Sequence, residues 1–262
     1  MRYVRFILIL IAIIAINTDK VSSQTKKINV LVFSKTNGYR HEAIPSAVKA
    51  LVELGTERNW QVTTTEDSSL FTDNFLAHFD AVVFLLTTGD ILNNEEQEAF
   101  KRFIESGKGF VGVHSATDTE YDWPWYDSLV GTNFLGHPPV QEARVVVEDT
   151  NHPATSMFRE KSIKMTDEWY SFKSNPRKKV HVLMSLDESS YNTTYNPWFK
   201  GVKLPMGDHP IVWYHYYDGG RAIYTGFGHV PEMYAKDSLY RAHLAGAIEW
   251  AAGKVHEKPV TK

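Results

Sequence analysis

Short apolar runs alternate with longer amphipathic stretches along the first half of the chain. Three runs rich in β-branched residues lie at residues 28–34, 81–86 and 109–113. A strand that is buried on both faces of a parallel sheet has this continuous apolar character. Residues 43–59 repeat apolar side chains at helical intervals, and residues 93–106 are a second predicted helix with Asn94 as its N-cap. This alternation predicts right-handed βαβ units and a doubly wound, mainly parallel α/β sheet.

After Asp122 the pattern changes to short strands joined by long polar loops. Strand candidates lie at residues 143–147, 163–168 and 180–186. Residues 211–217 and 221–225 flank the turn Asp218-Gly219-Gly220, which is typical of a β-hairpin. Residues 239–252 predict a closing helix that Gly253 ends. We therefore expect antiparallel strands to extend the sheet, and one domain, since no linker or repeat divides the chain.

The first residues have the layout of a secretory signal peptide. Two arginines precede a continuous apolar block at residues 6–16, and small residues end the segment at Ser23. The block is shorter than the ~20 apolar residues that a membrane span needs, and an uncleaved anchor is the competing interpretation. We expect export to the periplasm or beyond the cell, removal of residues 1–23, no remaining membrane span, and a mature domain over residues 24–262 with its core at 28–254.

Composition narrows the function classes. The chain has no cysteine, so an exported form relies on its core and has no thiol nucleophile. Removing residues 1–23 takes three basic residues and one acidic residue from the totals of 28 and 31, which leaves 25 and 30 and a net charge of −5. Such an acidic balance argues against nucleic acid as a partner. Aromatic residues make up 13% of the chain, which suits a sugar-binding surface, although composition alone favours a large mixed core as the explanation.

A histidine stands at the sharpest break in the pattern. The strand predicted at 109–113 runs directly into small residues in Gly112-Val113-His114-Ser115-Ala116. Many α/β enzymes expose their reactive side chain at such a strand-to-helix turn. Ser115 is one residue late for the Gly-x-Ser-x-Gly pattern, so a hydrolase that uses Ser115 is the least favoured hypothesis. The side chain presented here is the imidazole of His114, which can bind a metal or act as a general base.

Four further histidines lie in predicted loops: His41, His137, His209 and His229. Loops that follow parallel strands converge on one edge of a sheet, so His41, His114 and His229 are expected to meet. A catalytic zinc takes three His, Asp or Glu ligands and a water. We predict a divalent metal, with zinc as the best candidate, on His114, His137 and His209. For any one of these histidines a surface or hydrogen-bonding role is the alternative.

Carboxylates beside aromatic rings complete the candidate chemistry. In Asp167-Glu168-Trp169-Tyr170 the rings can raise the pKa of a carboxyl by desolvation and can stack on a sugar. Glu168 is therefore our candidate general acid/base, with His114 and His229 as the other catalytic residues. The candidate substrate-binding residues are Arg40, His41, Asp118, Trp169 and Tyr170. A strand-end carboxylate that faces water would give the same pattern.

Several motifs occur in the order found in one family. They are Gly38-Tyr39-Arg40-His41, Gly112-Val113-His114-Ser115-Ala116, Gly136-His137-Pro138, Asp167-Glu168-Trp169-Tyr170, Asp208-His209-Pro210 with Val212-Trp213, and Gly220-Arg221 through Thr225 to Gly228-His229. The chain resembles the ThuA-like (trehalose utilisation) family over roughly residues 28–254. That resemblance implies a class I glutamine amidotransferase-like, or flavodoxin-like, fold.

The resemblance also implies what chemistry was lost and what substrate is handled. By similarity His114 occupies the position of the amidotransferase cysteine, and His229 with Glu232 resembles the histidine and glutamate, although Val230-Pro231 changes their spacing. Without a thiolate, glutamine hydrolysis by that route is excluded. The implied substrate is a disaccharide or glycoside such as a 3-keto sugar. We expect no nucleotide cofactor. The sequence is compatible with an oligomer.

Two main hypotheses follow from the sequence. The first is an exported carbohydrate-processing enzyme, a hydrolase or a lyase, with a His-rich and metal-assisted acid/base site. The second is a noncatalytic carbohydrate-binding or accessory protein that has kept the amidotransferase-like pocket for recognition. Catalysis needs a poised acid/base group within hydrogen-bond reach of the reacting centre, whereas binding needs only stacking and hydrogen bonds.

Overall fold

The structure is a computed structural model that describes residues 27–258, so the predicted signal peptide lies outside the described residues. The strands, in chain order, are β1 (Asn29–Phe33), β2 (Gln61–Thr65), β3 (Ala81–Leu85), β4 (Gly109–Val113), β5 (Phe134–Gly136), β6 (Gln141–Val147), β7 (Ser162–Asp167), β8 (Ser171–Phe172), β9 (His181–Asp187), β10 (Pro210–Tyr217) and β11 (Gly220–Thr225). The α-helices are α1 (Ile44–Arg58), α2 (Asp73–Leu76), α3 (Asn94–Glu105), α4 (Pro124–Val130), α5 (Pro231–Lys236) and α6 (Ser238–Ala251).

Nine strands form one mixed sheet in the order β2-β1-β3-β4-β11-β10-β9-β6-β7. The first five of these strands are parallel to one another, and β10, β9, β6 and β7 follow in antiparallel pairing. The predicted doubly wound α/β sheet with an antiparallel extension is therefore confirmed. Strands β5 and β8 form a separate two-stranded sheet that the sequence analysis did not predict.

Helices cover both faces of the parallel half. Successive side chains of a strand point to opposite faces, and β4 shows where each group of helices lies. A Cβ on Gly109 would lie 2.2 Å from the Ala251 carbonyl oxygen of α6, so the glycine allows this close approach. The next residue, Phe110, packs on Phe100 of α3 and on Tyr126 of α4 from the other face. The apolar runs at β3 and β4 are fully buried between these layers.

Two helix starts show how local sequence fixes the ends. Helix α3 is capped by Asn93 and not by Asn94 as predicted, because Asn93 and Glu96 form a reciprocal capping box. The closing helix α6 begins after Asp237, whose carboxylate accepts hydrogen bonds from the backbone of Leu239 and Tyr240. In the described part of the chain, no helix is long and apolar enough to cross a membrane.

Candidate metal centre and active site

His114 occupies a strained turn directly after β4. Its φ is 50°, in the left-handed region that a bulky side chain enters at a cost on the order of 1 kcal/mol. The Tyr224 hydroxyl donates a hydrogen bond to the His114 carbonyl oxygen at 2.7 Å and braces this turn. The ring Nδ1 lies 3.0 Å from the Gly226 carbonyl oxygen, which can only accept, so Nδ1 carries the proton. The proton on Nδ1 leaves Nε2 as the nitrogen that a metal would bind.

Three imidazoles meet at the carboxyl edge of the parallel strands. His41 follows β1, His114 follows β4 and His229 follows β11, as the convergence argument predicts. The ring centroids lie 5.0 Å apart for His41 and His114, 5.3 Å for His41 and His229, and 5.4 Å for His114 and His229. His41 and His114 are buried, and His229 is partly exposed.

Glu168 joins these rings from the end of β7. Its Oε2 lies 3.5 Å from His114 Nε2 and 3.1 Å from His229 Nδ1. One ligand atom from each of His41, His114, Glu168 and His229 can be chosen so that all four lie within 4.8 Å of one another. We call these four residues the His3Glu group.

The His3Glu group fits a divalent metal. His114 Nε2 and His229 Nδ1 are buried without a hydrogen-bond partner, although a Glu168 oxygen is near both, because the geometry does not suit hydrogen bonds. Leaving such buried nitrogens unpaired is costly, on the order of 1–3 kcal/mol each. Three imidazoles and one carboxylate are donors that zinc and similar ions bind at about 2.0–2.2 Å, and a bound ion would satisfy both nitrogens.

Two residues of the group, His41 and Glu168, are held in the protonation states that metal binding requires, a neutral imidazole and an ionised carboxylate. Burial, followed by the charges of His114 and His229, lowers the pKa of His41 to about 2, so His41 is neutral. Burial alone would raise the pKa of Glu168, but the contacts with His114 and His229 outweigh it and hold that pKa well below its usual range. The predicted rise in the Glu168 pKa is therefore wrong. Burial opposes protonation of His229 too, yet Glu168 leaves its pKa raised.

A cavity of about 650 Å³ opens above the group. Its lining residues are Tyr39, His41, Asp118, Phe134, His137, Val140, Glu168, Tyr170, Trp198, Phe199 and His229. The volume lies within the range of about 300–1,000 Å³ that is usual for small-molecule sites. Polar groups at one end and aromatic rings around them are the arrangement expected of a site for a small amphipathic ligand such as a sugar.

His137 lies beside the His3Glu group and not within it. Its Nδ1 is 3.1 Å from Glu168 Oε1 and 3.0 Å from the Pro138 carbonyl oxygen, and burial lowers its pKa. The ring stacks on Tyr170 with a centroid distance of 5.5 Å. His137 therefore orients the second carboxylate oxygen of Glu168, which is an outer-sphere role and not that of the predicted ligand.

Asp118 is the cavity carboxylate that stands apart from the metal group. The Tyr121 hydroxyl donates a hydrogen bond to Asp118 Oδ1 at 2.6 Å. Burial raises the Asp118 pKa, and the Tyr121 hydrogen bond only partly opposes that rise. A cavity-lining carboxyl with a raised pKa has the properties of a general acid/base.

Besides the buried His114, four residues weighed from the sequence do not line the cavity. His209 is buried, with Nδ1 2.8 Å from Glu188 Oε1 and Nε2 2.8 Å from the Tyr170 carbonyl oxygen, so both nitrogens are occupied and the predicted metal role is corrected. Arg40 forms an exposed bidentate pair with Glu66. Trp169 is fully buried, and its Nε1 donates to the Gln141 carbonyl oxygen.

The fourth is Ser115, which is fully buried and does not line the cavity. These positions correct Arg40 and Trp169 as substrate-binding residues and argue against a Ser115 nucleophile. His41, Asp118 and Tyr170 do line the cavity. Five further lining residues were not predicted from the sequence: Tyr39, Phe134, Val140, Trp198 and Phe199. For Trp198 the available signal was its place next to Phe199 in a long polar loop.

Comparison with known proteins agrees with this architecture. The family model for ThuA, trehalose utilisation, matches residues 29–251. A solved structure of a ThuA-like protein from Bacteroides uniformis ATCC 8492 shares 25% identity, covers 86% of this chain and 91% of its own, and has a TM-score of 0.71. A ThuA-like protein from Parabacteroides merdae ATCC 43184 shares 20% identity, with coverages of 89% and 93% and a TM-score of 0.67.

None of the curated proteins matches the chain in sequence. The likeness to the Parabacteroides protein shows the fold alone, which is class I glutamine amidotransferase-like as predicted. The family match spans nearly all of the described residues, from β1 to the end of α6. The chain belongs to the ThuA (trehalose utilisation) family.

Proposed function

We propose that this protein is an exported, metal-dependent enzyme that acts on a glycoside, with an oxidised 3-keto disaccharide as the leading substrate class. The observation that carries the proposal is the His3Glu group, which contains two buried and unpartnered nitrogens and of which His41, Glu168 and His229 line a cavity large enough for a sugar. The family name, trehalose utilisation, supports a carbohydrate substrate.

The division of labour among the residues follows from their geometry. His41, His114, Glu168 and His229 would hold a divalent metal, which acts when bound as a Lewis acid on a substrate oxygen or acidifies a bound water. Glu168 is thus reassigned from general acid/base to ligand, because its Oε2 faces the unpartnered nitrogens of His114 and His229. His137 steadies the carboxylate.

Asp118 takes the acid/base role in this proposal. In a 3-keto glycoside the hydrogen on C2, next to the carbonyl, is acidic, and a carboxylate at the cavity wall can accept it as a proton. The electron pair left on C2 then forms a C1–C2 double bond as the glycosidic C1–O bond breaks, and the leaving alkoxide of the second sugar takes the proton back from the carboxyl group. The Tyr121 hydroxyl fixes the orientation of the Asp118 carboxylate through Oδ1. Since that bond occupies one oxygen, the other is available to exchange a proton with substrate.

Three measurements on the purified full chain test the proposal. Elemental analysis is expected to find about one divalent ion per chain, with zinc first among the candidates. A screen of 3-keto and ordinary disaccharides is expected to give cleavage that a chelator abolishes and the metal restores. Glu168→Ala should lose both the metal and the cleavage.

Two results would contradict the proposal. Cleavage that is indifferent to the chelator and to Glu168→Ala would remove the metal from the mechanism. Metal-loaded protein that binds these sugars but cleaves none of them would favour the noncatalytic binding protein. Export is tested separately: N-terminal sequencing of protein recovered outside the cytoplasm should find a start just after Ser23.

A further inference from the structure

The connection between β9 and β10 carries aromatic side chains on a turn that its own hydrogen bonds hold. The Asn196 side-chain amide donates to the Phe199 and Val202 carbonyl oxygens at 2.6 and 3.2 Å. Asn196 Oδ1 accepts from the Phe199 backbone N–H at 2.8 Å. Residues 196–202 are thus closed around one asparagine, which fixes the backbone that carries Trp198 and Phe199.

Phe199 anchors this turn to the small sheet beside the cavity. Its ring packs on Phe134, at a centroid distance of 5.6 Å, and on His137, at 5.0 Å. A Cβ at Gly136 would lie 3.0 Å from the Phe199 ring and 2.9 Å from a Leu204 methyl carbon, so only glycine lets the turn approach this closely. The turn is seated on β5 by packing.

Trp198 makes no comparable anchor. It is 57% exposed, although it lines the cavity with its ring centroid 5.2 Å from that of His137. Tyr39 is 63% exposed, lines the same cavity from the loop after β1, and lies edge-on to His41 at 4.9 Å. Two large rings from separate parts of the chain are thus left open to solvent at one cavity. Their open faces are free to take a ligand.

We propose that Trp198 and Tyr39 form an outer subsite for the second pyranose ring of a two-ring glycoside, while the first ring reaches the His3Glu group. This inference rests on the proposed function for the identity of the inner ring. The C–H faces of a pyranose are apolar, and aromatic rings stack on them, so such a pair can bind a sugar ring without charged groups. Such a subsite would favour a two-ring glycoside over a free monosaccharide, which has no second ring to stack there.

The experiment measures binding, so that it does not depend on turnover. Metal-loaded full-length protein is titrated calorimetrically with trehalose, maltose, cellobiose and sucrose, and with methyl α- and methyl β-glucopyranoside as one-ring references. Wild-type protein is expected to bind at least one disaccharide more tightly than either methyl glucoside. Trp198→Ala should weaken that disaccharide about 3- to 10-fold and leave the methyl glucosides unchanged.

Tyr195→Ala is the matched control. Tyr195 lies on the same connection and is 59% exposed, but it does not line the cavity. Its replacement should leave every affinity unchanged, whereas Tyr39→Ala should act like Trp198→Ala. The melting temperatures of the three variants should equal that of the wild type, because the removed side chains are exposed.

Two results would overturn the subsite. One is a wild-type protein that binds no disaccharide of the set more tightly than the methyl glucosides. The other is a Trp198→Ala effect that is absent, or that is equal for one-ring and two-ring ligands. If Trp198-dependent disaccharide binding is found in a protein without metal-dependent cleavage, the subsite stands and the proposed function fails. If metal-dependent cleavage of disaccharides is found and Trp198→Ala changes neither binding nor cleavage, the proposed function stands and the subsite fails.

Discussion

The two halves of the sheet contribute different parts of the site. The parallel half supplies His41, His114 and His229 from loops that directly follow strand ends, within a buried frame. The antiparallel half, its long connections and the small sheet supply Glu168, His137 and the aromatic residues of the cavity other than Tyr39. The imidazoles that could hold a metal thus come from the parallel half. The extension adds the carboxylate of that group, whereas the cavity lining comes from both halves, since Tyr39 and Asp118 lie in loops of the parallel half.

The largest expected effect comes from the parallel side. His114→Ala should remove bound metal and abolish cleavage, a loss greater than the ~10–100-fold that an outer-sphere change costs, because His114 Nε2 has no other partner. Elemental analysis and initial rates measure it. His181→Ala, which removes an exposed imidazole paired with Asp149, is the control and should change neither quantity. If His114→Ala kept a full equivalent of metal, the parallel half would not be the part of the site that holds the ion.

Asp118→Asn should separate chemistry from metal binding. The amide keeps the shape of the side chain but cannot accept the substrate proton, so kcat should fall about 10²- to 10⁴-fold. Metal content should stay at the wild-type level, since Asp118 is outside the His3Glu group. Rates and elemental analysis on the same preparation decide this, and an unchanged kcat would exclude Asp118 as the proton-transfer group.

Asp167→Asn tests the junction between the two halves. The buried Asp167 carboxylate at the end of β7 accepts backbone hydrogen bonds from Gly228 at 2.7 Å and His229 at 3.1 Å. It therefore ties the strand that leads to Glu168 to the loop that carries His229. An asparagine cannot accept through its NH2 group, so metal affinity should fall about 10- to 100-fold as a positioning effect.

A matched control exists for Asp167→Asn. Glu120 is a buried carboxylate that accepts backbone hydrogen bonds from Ile91 and Leu92, away from the His3Glu group. Glu120→Gln should lower the melting temperature without changing metal affinity in competition titrations. If the two variants lose stability equally and neither changes metal affinity, Asp167 is only a structural residue.

The smallest effect concerns a carboxylate of the antiparallel half. Hydrogen bonds from His209, Met206 and Gly207 outweigh burial and lower the pKa of Glu188 to about 2. A carboxyl with a lowered folded-state pKa stabilises the fold above its unfolded pKa of about 4.3, and loses this contribution as pH falls toward 2.

Glu188→Gln should therefore destabilise the protein near pH 7 by about 1–2 kcal/mol, a figure reduced for solvent screening. The difference from the wild type should narrow below about pH 4.3. Urea denaturation at a series of pH values measures this. Metal content should be unaffected, and a pH-independent difference would show that the ionised carboxylate is not the cause.

The sequence predicted the parallel half well because its signals are local and periodic. The apolar runs at β1, β3 and β4 and the break at His114 follow from residue types alone, and convergence of the loops then places three histidines together. For the antiparallel half, the sequence predicted the strands but not the structure of the connections between them. Its strands alternate, but its long polar connections have no period, so Trp198 and Phe199 were not found.

The errors have identifiable physical causes. The pKa of Glu168 depends on imidazoles that are distant in sequence, so its two aromatic neighbours gave the wrong direction. His209 does lie near the correct edge, because β10 pairs with the end of β11, yet Glu188 and the Tyr170 carbonyl occupy its ring. Convergence predicts where a residue lies, and only the local partners decide whether its nitrogens are available.

The spread of the four His3Glu residues along the chain has a consequence for folding. They follow β1, β4, β7 and β11, so nearly the whole domain lies between the first and the last of them. A bound ion would join these distant segments as a cross-link, and closing long loops in this way lowers the entropy of the unfolded chain. In a polypeptide without cysteine, the metal would then serve in place of the disulfides that commonly reinforce exported proteins.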